Sequence, residues 1–529
     1  MSALTVNGSQ LTLDDLHDVA VGRRAVAVDG DRLEHVRATH ERVQQWGLEG
    51  HPIYGVNTGF GELAHVVVPP EKKTDLQVYL LRNHASGAGE RLDDASTRAV
   101  LLARVNCLVR GYSGASVDAV RLLVEFLNRD ILPVIPQQGS LGASGDISPL
   151  CHMALSLIGE GRVVHKGAER DTASVLAEEG LTPLTLGFKE GLSLINGTSA
   201  SAGTAALALY RAEKLLQQAV FLSSVFVQCL RGSSRAFDRR GHELKGHPGQ
   251  IAVAEALAGL IDGSGLTREH VDLMQDITER SAGMSAVQDV GVYIQSAYSL
   301  RCIPQILGPV LDTFAFCRSV VEQELNSSND NPLIFDNVEE TFHGGNFHGQ
   351  YLAMASDYLG IALGEIGVLA ERQINRLVDP HLNGDLPDFL AWNDSGLSSG
   401  LSGTQYLATS IASENLDLVA PASVKSLASN AGNQDVVSMS LNSSRKALRL
   451  VDNVASILAV FGACLYQAGS CVGVERLSEA GRKWHQLLGK AVAVYDDEFL
   501  VQRMIDAVRT FAAGNEGVEF FDQEVGFGK

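Results

Sequence analysis

Apolar residues recur every three or four positions along most of this chain, the spacing of helices with a buried face. The clearest short cases are 97–108 (TRAVLLARVNCL) and 117–127 (VDAVRLLVEFL), separated by Gly111-Tyr-Ser-Gly114. Four longer stretches, 204–230, 298–325, 350–377 and 440–467, are rich in Ala, Leu and Val and predict long helices. Pro304 and Pro309 should kink or interrupt the second of these. Several stretches are apolar on more than one face, so other helices or other subunits must sheathe them. The pattern predicts a mainly α protein with a long central helical bundle, and an obligate oligomer.

Loops rich in Gly, Asn and Ser separate the helices at 54–62, 139–148, 196–201, 326–331, 342–349 and 430–435. Such loops, held by rigid helices, are where chemistry concentrates. Three segments are expected. Residues 1–200 carry a lid loop and a reactive glycine-rich loop, 201–475 form the long-helix bundle, and 476–529 form a C-terminal helical segment and tail. The stretch 163–183 reads as a small irregular surface excursion, and the glycine-rich, acidic tail after Ala513 as frayed.

Composition narrows the classes. At 529 residues the chain can bury a large core. A formal charge of −20 argues against a nucleic-acid footprint, which needs clustered Lys and Arg. The first residues lack a basic region followed by an apolar core, and no uninterrupted apolar run is long enough for a bilayer, so neither secretion nor a membrane is expected. Seven scattered cysteines without Cys-x-x-Cys spacing suit a reduced, cytoplasmic protein without structural zinc. His343 and His348 lie in a glycine-rich loop without a carboxylate at helical spacing. They read as structural hydrogen-bonding groups, and no metal is expected.

The most informative segment is Gln138-Gly-Ser-Leu-Gly-Ala-Ser-Gly-Asp-Ile-Ser-Pro149. If the Gly145 nitrogen is forced against the Ala143 carbonyl carbon, a five-membered ring can close and lose water. Loss of the Ser144 hydroxyl as a second water then leaves an exocyclic methylene conjugated to the ring, a strong electrophile. Small residues are needed at both ends of so tight a turn. A bare Ala-Ser-Gly is more often a glycine-rich turn before a helix, here one starting near Ile147 with Asp146 or Ser148 as N-cap. No Gly-Lys-Ser/Thr follows, which disfavours a phosphate loop.

The surrounding frame resembles the aromatic amino acid ammonia-lyases and 2,3-aminomutases that use a methylidene-imidazolone group. The matching segments are Tyr54-Gly-Val-Asn-Thr-Gly-Phe-Gly61, Gly139-Ser-Leu-Gly-Ala-Ser-Gly-Asp146, Leu194-Ile-Asn-Gly-Thr-Ser199, Ala297-Tyr-Ser-Leu-Arg301, Glu324-Leu-Asn-Ser-Ser-Asn-Asp-Asn-Pro332, Asn346-Phe-His-Gly349 and Asn433-Gln-Asp-Val-Val-Ser-Met439. They fall in family order across roughly residues 50–440. The resemblance implies an ammonia-lyase-like homotetramer whose active sites combine loops from three subunits. It also implies a 4-methylidene-imidazole-5-one formed autocatalytically from Ala143, Ser144 and Gly145, with no metal or nucleotide.

Roles follow from the same resemblance. Tyr54 is the expected base, its phenol pKa near ~10 needing its neighbours to tune it towards neutrality. Gly59 and Gly61 are expected to let this loop close over the site. Arg301 offers a planar fork to the substrate carboxylate, and Tyr298, one turn earlier, sits beside it. Asn196 lies against the prosthetic ring, where donors stabilise developing negative charge. Asn433 and Gln434 complete a polar wall, while Phe347 and Tyr406 are candidates to pack the substrate ring.

Asn83 and His84 fall where the family reads the distal end of the substrate. A histidine there suits a phenol, because polar groups left unpaired against an apolar ring are costly. Asn433-Gln434 matches the aromatic branch rather than the histidine branch. The closest resemblance is to bacterial tyrosine 2,3-aminomutases, notably over 51–63 and 405–417. The expected reaction converts L-tyrosine to β-tyrosine by ammonia elimination and re-addition, with some release of p-coumarate. A tyrosine ammonia-lyase is the near alternative, and a non-catalytic helical scaffold of this fold is the alternative of a different class.

Overall fold

The computed structural model describes residues 2–527 and is predominantly helical, with twenty α-helices and seven short strands among the described residues. It divides into two compact units. The first comprises residues up to 210, 316–358 and 421–448; the second comprises 211–315, 359–420 and 449 onward. The boundaries at 210, 315, 358 and 448 fall inside long helices.

In the first unit, helix Asp94–Leu108 is capped by Asp93, whose side chain accepts from Ser96 N. It is buried on nearly every face, so its polar side chains also lie inside. Arg98 donates to Val19 O and Leu127 O, and Asn106 Nδ2 donates to Leu325 O. Helix Val117–Asn128, capped by Ser116, is instead one-sided, its Val, Leu and Phe facing inward. Small sheets brace these helices: a parallel pair Leu4–Val6 with Val26–Val28, and an antiparallel set joining Leu132–Pro133, Arg162–His165 and Ala168–Asp171. The stretch expected to be irregular, 163–183, is thus a hairpin followed by helix Thr172–Glu179.

The long helices are Ser199–Cys229, Ile303–Leu325, Gln350–Val378 and Ser440–Val472. The stretch expected to start a helix at 298 is split: Tyr298–Arg301 forms one turn, and the chain leaves helical geometry at Cys302. Pro304 then occupies the first turn, where a missing N–H costs nothing, and Pro309 is accommodated inside the helix. Two helices, Gln350–Val378 and Ser440–Val472, are long and apolar enough to cross a membrane by length and composition alone. Their apolar windows are 67% and 72% buried, which marks them as core helices.

In the second unit, Phe221 is ringed edge-on by Trp484, Phe520 and Phe521. The tail expected to fray after Ala513 therefore folds: Asn515–Glu524 is helical because Phe520 and Phe521 bury their rings.

Candidate active site

The segment 138–149 turns sharply where its residues are smallest. Gly142 and Gly145 both have φ of +68°, in the left-handed region that side chains disfavour. A Cβ on Gly145 would lie 2.1 Å from the Gly197 carbonyl oxygen, and one on Gly142 would lie 2.2 Å from Ser438 Oγ. Both positions need glycine for space as well as for conformation. Asp146 N donates to Gly197 O at 2.7 Å, Met439 N to Leu141 O at 2.8 Å, and Gly349 N to Gly142 O at 3.2 Å. The Gly145 amide donates no hydrogen bond among the described residues. Ser144 Oγ accepts from Gln434 Nε2 at 3.0 Å, and Ala143 is buried beside Ala422, Val437 and Met439.

Asp146 stands at the N-cap position of helix Ile147–Leu157 without capping it, and Ser148 Oγ makes no hydrogen bond either. The buried Asp146 carboxylate instead accepts from Ser201 N and Ser201 Oγ, both at 2.7 Å, and from Ser140 Oγ at 2.8 Å. These bonds lock the turn to the start of helix Ser199–Cys229. Burial pushes this carboxyl above its ordinary range, and the bonds from Ser201 and Ser140 partly oppose that.

Asn196 follows the short helix Glu190–Ile195. Its Nδ2 donates to Asn331 O at 2.9 Å, and its carbonyl accepts from Arg104 Nη2 at 3.0 Å. Its buried Oδ1 has no partner among the described residues. An unpaired buried acceptor costs about 1–3 kcal/mol, so a donor arriving with a ligand would relieve it.

The Tyr54–Gly61 loop is held by its own backbone. Gly55 N donates to Thr58 Oγ1 at 3.1 Å, Gln77 Nε2 to Gly55 O at 3.0 Å, and Gly59 N to Val66 O at 2.9 Å. Tyr54 Oη accepts from Gly61 N at 2.9 Å. Gly61 has φ of +55° and packs so closely that a Cβ would meet Asn430 Nδ2 at 2.2 Å. Burial raises the Tyr54 pKa above the usual phenol value, with the Gly61 bond pulling the other way. This is opposite to the tuning towards neutrality expected from sequence. Desolvation is the larger effect, and among the described residues no Lys or Arg lines the cavity to favour the phenolate.

These segments surround one cavity of about 860 Å³, ample for an amino acid. Among its lining residues are Tyr54, Gly61, Asn83, His84, Ala143, Ser144, Gly145, Asn196, Phe347, Asn433 and Gln434. All belong to the first unit. His84 Nδ1 lies 2.9 Å from Leu80 O. A carbonyl only accepts, so Nδ1 carries a proton, and in the neutral ring Nε2 is then the acceptor.

The aromatic amino acid lyase family model matches residues 11–490. The chain belongs to this family. It is 57% identical to a tyrosine 2,3-aminomutase of Chondromyces crocatus over 97% of this chain and 96% of that one. It is 46% identical to a tyrosine ammonia-lyase of Cupriavidus metallidurans, covering 90% of each. Among solved structures, the tyrosine aminomutase of Streptomyces globisporus superposes with a TM-score of 0.94 at 40% identity, over 99% of each chain.

Three residues singled out from sequence are not among the residues lining this cavity: Tyr298, Arg301 and Tyr406. They belong to the second unit. Tyr298 is 69% exposed and Tyr406 73%. The expected neighbourhood of Tyr298 and Arg301 holds, with the guanidinium 4.8 Å over the ring and Arg301 Nε donating to Ser296 O at 2.8 Å. The two histidines make loop hydrogen bonds: His343 Nε2 accepts from Tyr54 N at 3.4 Å, and His348 Nε2 lies 3.2 Å from Val436 O. Sequence reading missed Asn331, Asn430, Leu192 and Tyr79, which also line the cavity. Asn331 and Asn430 sat in segments already marked as loops, whereas Leu192 and Tyr79 lie in helices that carry no local signal of a site.

A further group of ligating types, His165, Glu178 and Glu179, lies within reach of a common ion. Its carboxylates also pair with Lys166 and Arg170, and Glu179 lies 3.0 Å from His165 Nε2.

Proposed function

We propose that this protein is a tyrosine 2,3-aminomutase, converting L-tyrosine to β-tyrosine and releasing some p-coumarate and ammonia. One observation carries the reading: a single cavity is walled by the Ala143-Ser144-Gly145 turn, the Tyr54 phenol and the His84 imidazole. A 4-methylidene-imidazole-5-one built from that turn fits its surroundings. The left-handed glycines, the uncommitted Gly145 amide and the orphaned Asn196 Oδ1 are what such a ring would use. When formed, it supplies an electrophile that ordinary side chains lack.

The chain's own residues do the rest. His84 Nε2 receives the substrate phenol, with Asn83 beside it, and sets the ring's depth. Phe347 packs against the ring, and Asn196, Asn433 and Gln434 orient the polar end. Tyr54 Oη takes the β-proton while the Cα–N bond breaks, giving ammonia and p-coumarate. Rearrangement follows when the amine bonds to the β-carbon and a proton goes to the α-carbon. The Gly61 N–H donates to Tyr54 Oη and so favours its phenolate.

The substrate carboxylate needs a cation, and none lines the cavity. Exposed Tyr298 and Tyr406, with Arg301 stacked on Tyr298, suit residues that complete the site of another copy in a homotetramer. Seven free thiols suit work in the reducing cytoplasm. The Cupriavidus relative favours a second reading, a tyrosine ammonia-lyase. Incubation with L-tyrosine separates them, with p-coumarate followed by absorbance and β-tyrosine by chiral chromatography. β-Tyrosine formed from the start supports the mutase, p-coumarate alone supports the lyase, and neither product overturns both.

A further inference from the structure

We propose that Lys189 and Asp330 are positioning residues that set the Asn196 amide for turnover. This rests on the reading of the cavity as a site of tyrosine chemistry. Lys189 Nζ donates to Asp330 Oδ2 at 2.6 Å, and both side chains are 0% exposed. The ammonium also donates to Ser113 O at 2.9 Å. Lys189 has φ of +65°, a conformation that side chains disfavour. A buried ion pair loses hydration for both charges, and an apolar pair of similar size is often as stable. Stability alone therefore does not account for a lysine in left-handed backbone paired with a carboxylate in the core.

The pair is wired to the cavity. Asp330 Oδ1 accepts from Asn331 N at 2.6 Å, and Gly344 N donates to Asn331 Oδ1 at 2.7 Å. The Asn331 carbonyl, fixed by these bonds, accepts from Asn196 Nδ2 at 2.9 Å. A carbonyl cannot donate, so this contact dictates which way the Asn196 amide faces. It leaves Oδ1 as the orphaned acceptor. Arg104, itself buried, fixes the other side of the same residue by donating to the carbonyls of Ser193 and Asn196. The backbone and the side chain of Asn196 are thus held separately, the latter through Lys189 and Asp330.

The test is a cycle of four proteins: the unaltered chain, Lys189→Met/Asp330→Leu, which removes both the charges and the acceptor for Asn331 N, Asn196→Ala, and all three substitutions together. Each is assayed for kcat and KM with L-tyrosine, intact mass and melting temperature. The paired substitution should keep the mass deficit of two waters and lower kcat by about tenfold or more, with KM little changed. In the Asn196→Ala background the same pair should cost less than roughly twofold, since its target is gone. An equal loss in both backgrounds, or no loss of kcat, overturns the proposal. Should the paired variant not fold, Lys189→Met/Asp330→Ala, which leaves no charge stranded, runs the same cycle with the same criteria. If the unaltered chain makes neither product, the reading of the site fails, a result distinct from additivity.

Discussion

Gly61→Ala probes how the 54–61 loop holds Tyr54, the proposed base. At φ of +55° an added Cβ costs about 1–2 kcal/mol from conformation alone. The same Cβ would lie 2.2 Å from Asn430 Nδ2 and 3.1 Å from its Cγ, so the Asn430 side chain must also move. The Gly61 amide is the donor to Tyr54 Oη, so strain relieved by shifting Gly61 is relieved at the base's hydrogen bond. A penalty of about 1–2 kcal/mol on the observed loop state lowers its equilibrium constant against other loop states by about five- to thirty-fold, and kcat/KM for L-tyrosine should fall by up to that factor. Steady-state kinetics and a thermal melt check it, the melt moving little because Gly61 itself is only half-buried, at the end of the loop away from core residue Val56. The double variant Gly61→Ala/Asn430→Ala separates the causes: it should recover the steric part and leave the conformational part. Unchanged kcat/KM in Gly61→Ala would refute the coupling of this glycine to the base.

Five further outcomes are expected. Ser144→Ala should fold, show a mass without the loss of two waters, and lose turnover; substantial residual activity would contradict the prosthetic-group reading. Tyr54→Phe should still bind L-tyrosine but turn over some 10²–10⁴-fold more slowly. Because burial holds the Tyr54 pKa above that of a free phenol, and the base acts deprotonated, kcat/KM of the unaltered chain should rise with pH on the alkaline side. A pH–rate series on both proteins tests the two points together. His84→Phe should shift preference from tyrosine to phenylalanine by roughly tenfold or more, read as a ratio of kcat/KM values. Phe521→Ala, which opens the ring cluster around Phe221, should destabilise the second unit by about 3–5 kcal/mol in denaturant unfolding.

Much of this protein is determined locally. Helical periodicity depends on neighbours a turn apart, so Asp94–Leu108, Val117–Asn128 and the long apolar helices follow from sequence to within a few residues at their ends. The need for glycine at 142 and 145 is likewise legible, because small residues in a tight turn leave a local mark. Motif order alone places Tyr54, Ser144, Asn196 and Gln434 in one family frame. Local signals misled at the tail, where Phe520 and Phe521 order a polar helix by packing on Phe221, more than 290 residues earlier in the chain. They misled again at Asp146, a natural cap by residue type whose carboxylate is taken by Ser201, 55 positions on.

What tertiary structure alone decided is which groups meet and in what state. The Lys189–Asp330 pair joins residues 141 positions apart, and nothing near either one marks it. The tautomer of His84, the orphaned oxygen of Asn196 and the raised Tyr54 pKa each depend on partners or burial supplied by the folded chain. The exposure of Tyr298 and Tyr406 is of the same kind. Sequence assigns them to a site by family order, but only the fold reveals that this cavity has no cation in its lining. Hydrogen bonds and desolvation are set by three-dimensional distance, and a chain's own spacing does not encode that beyond a turn or two.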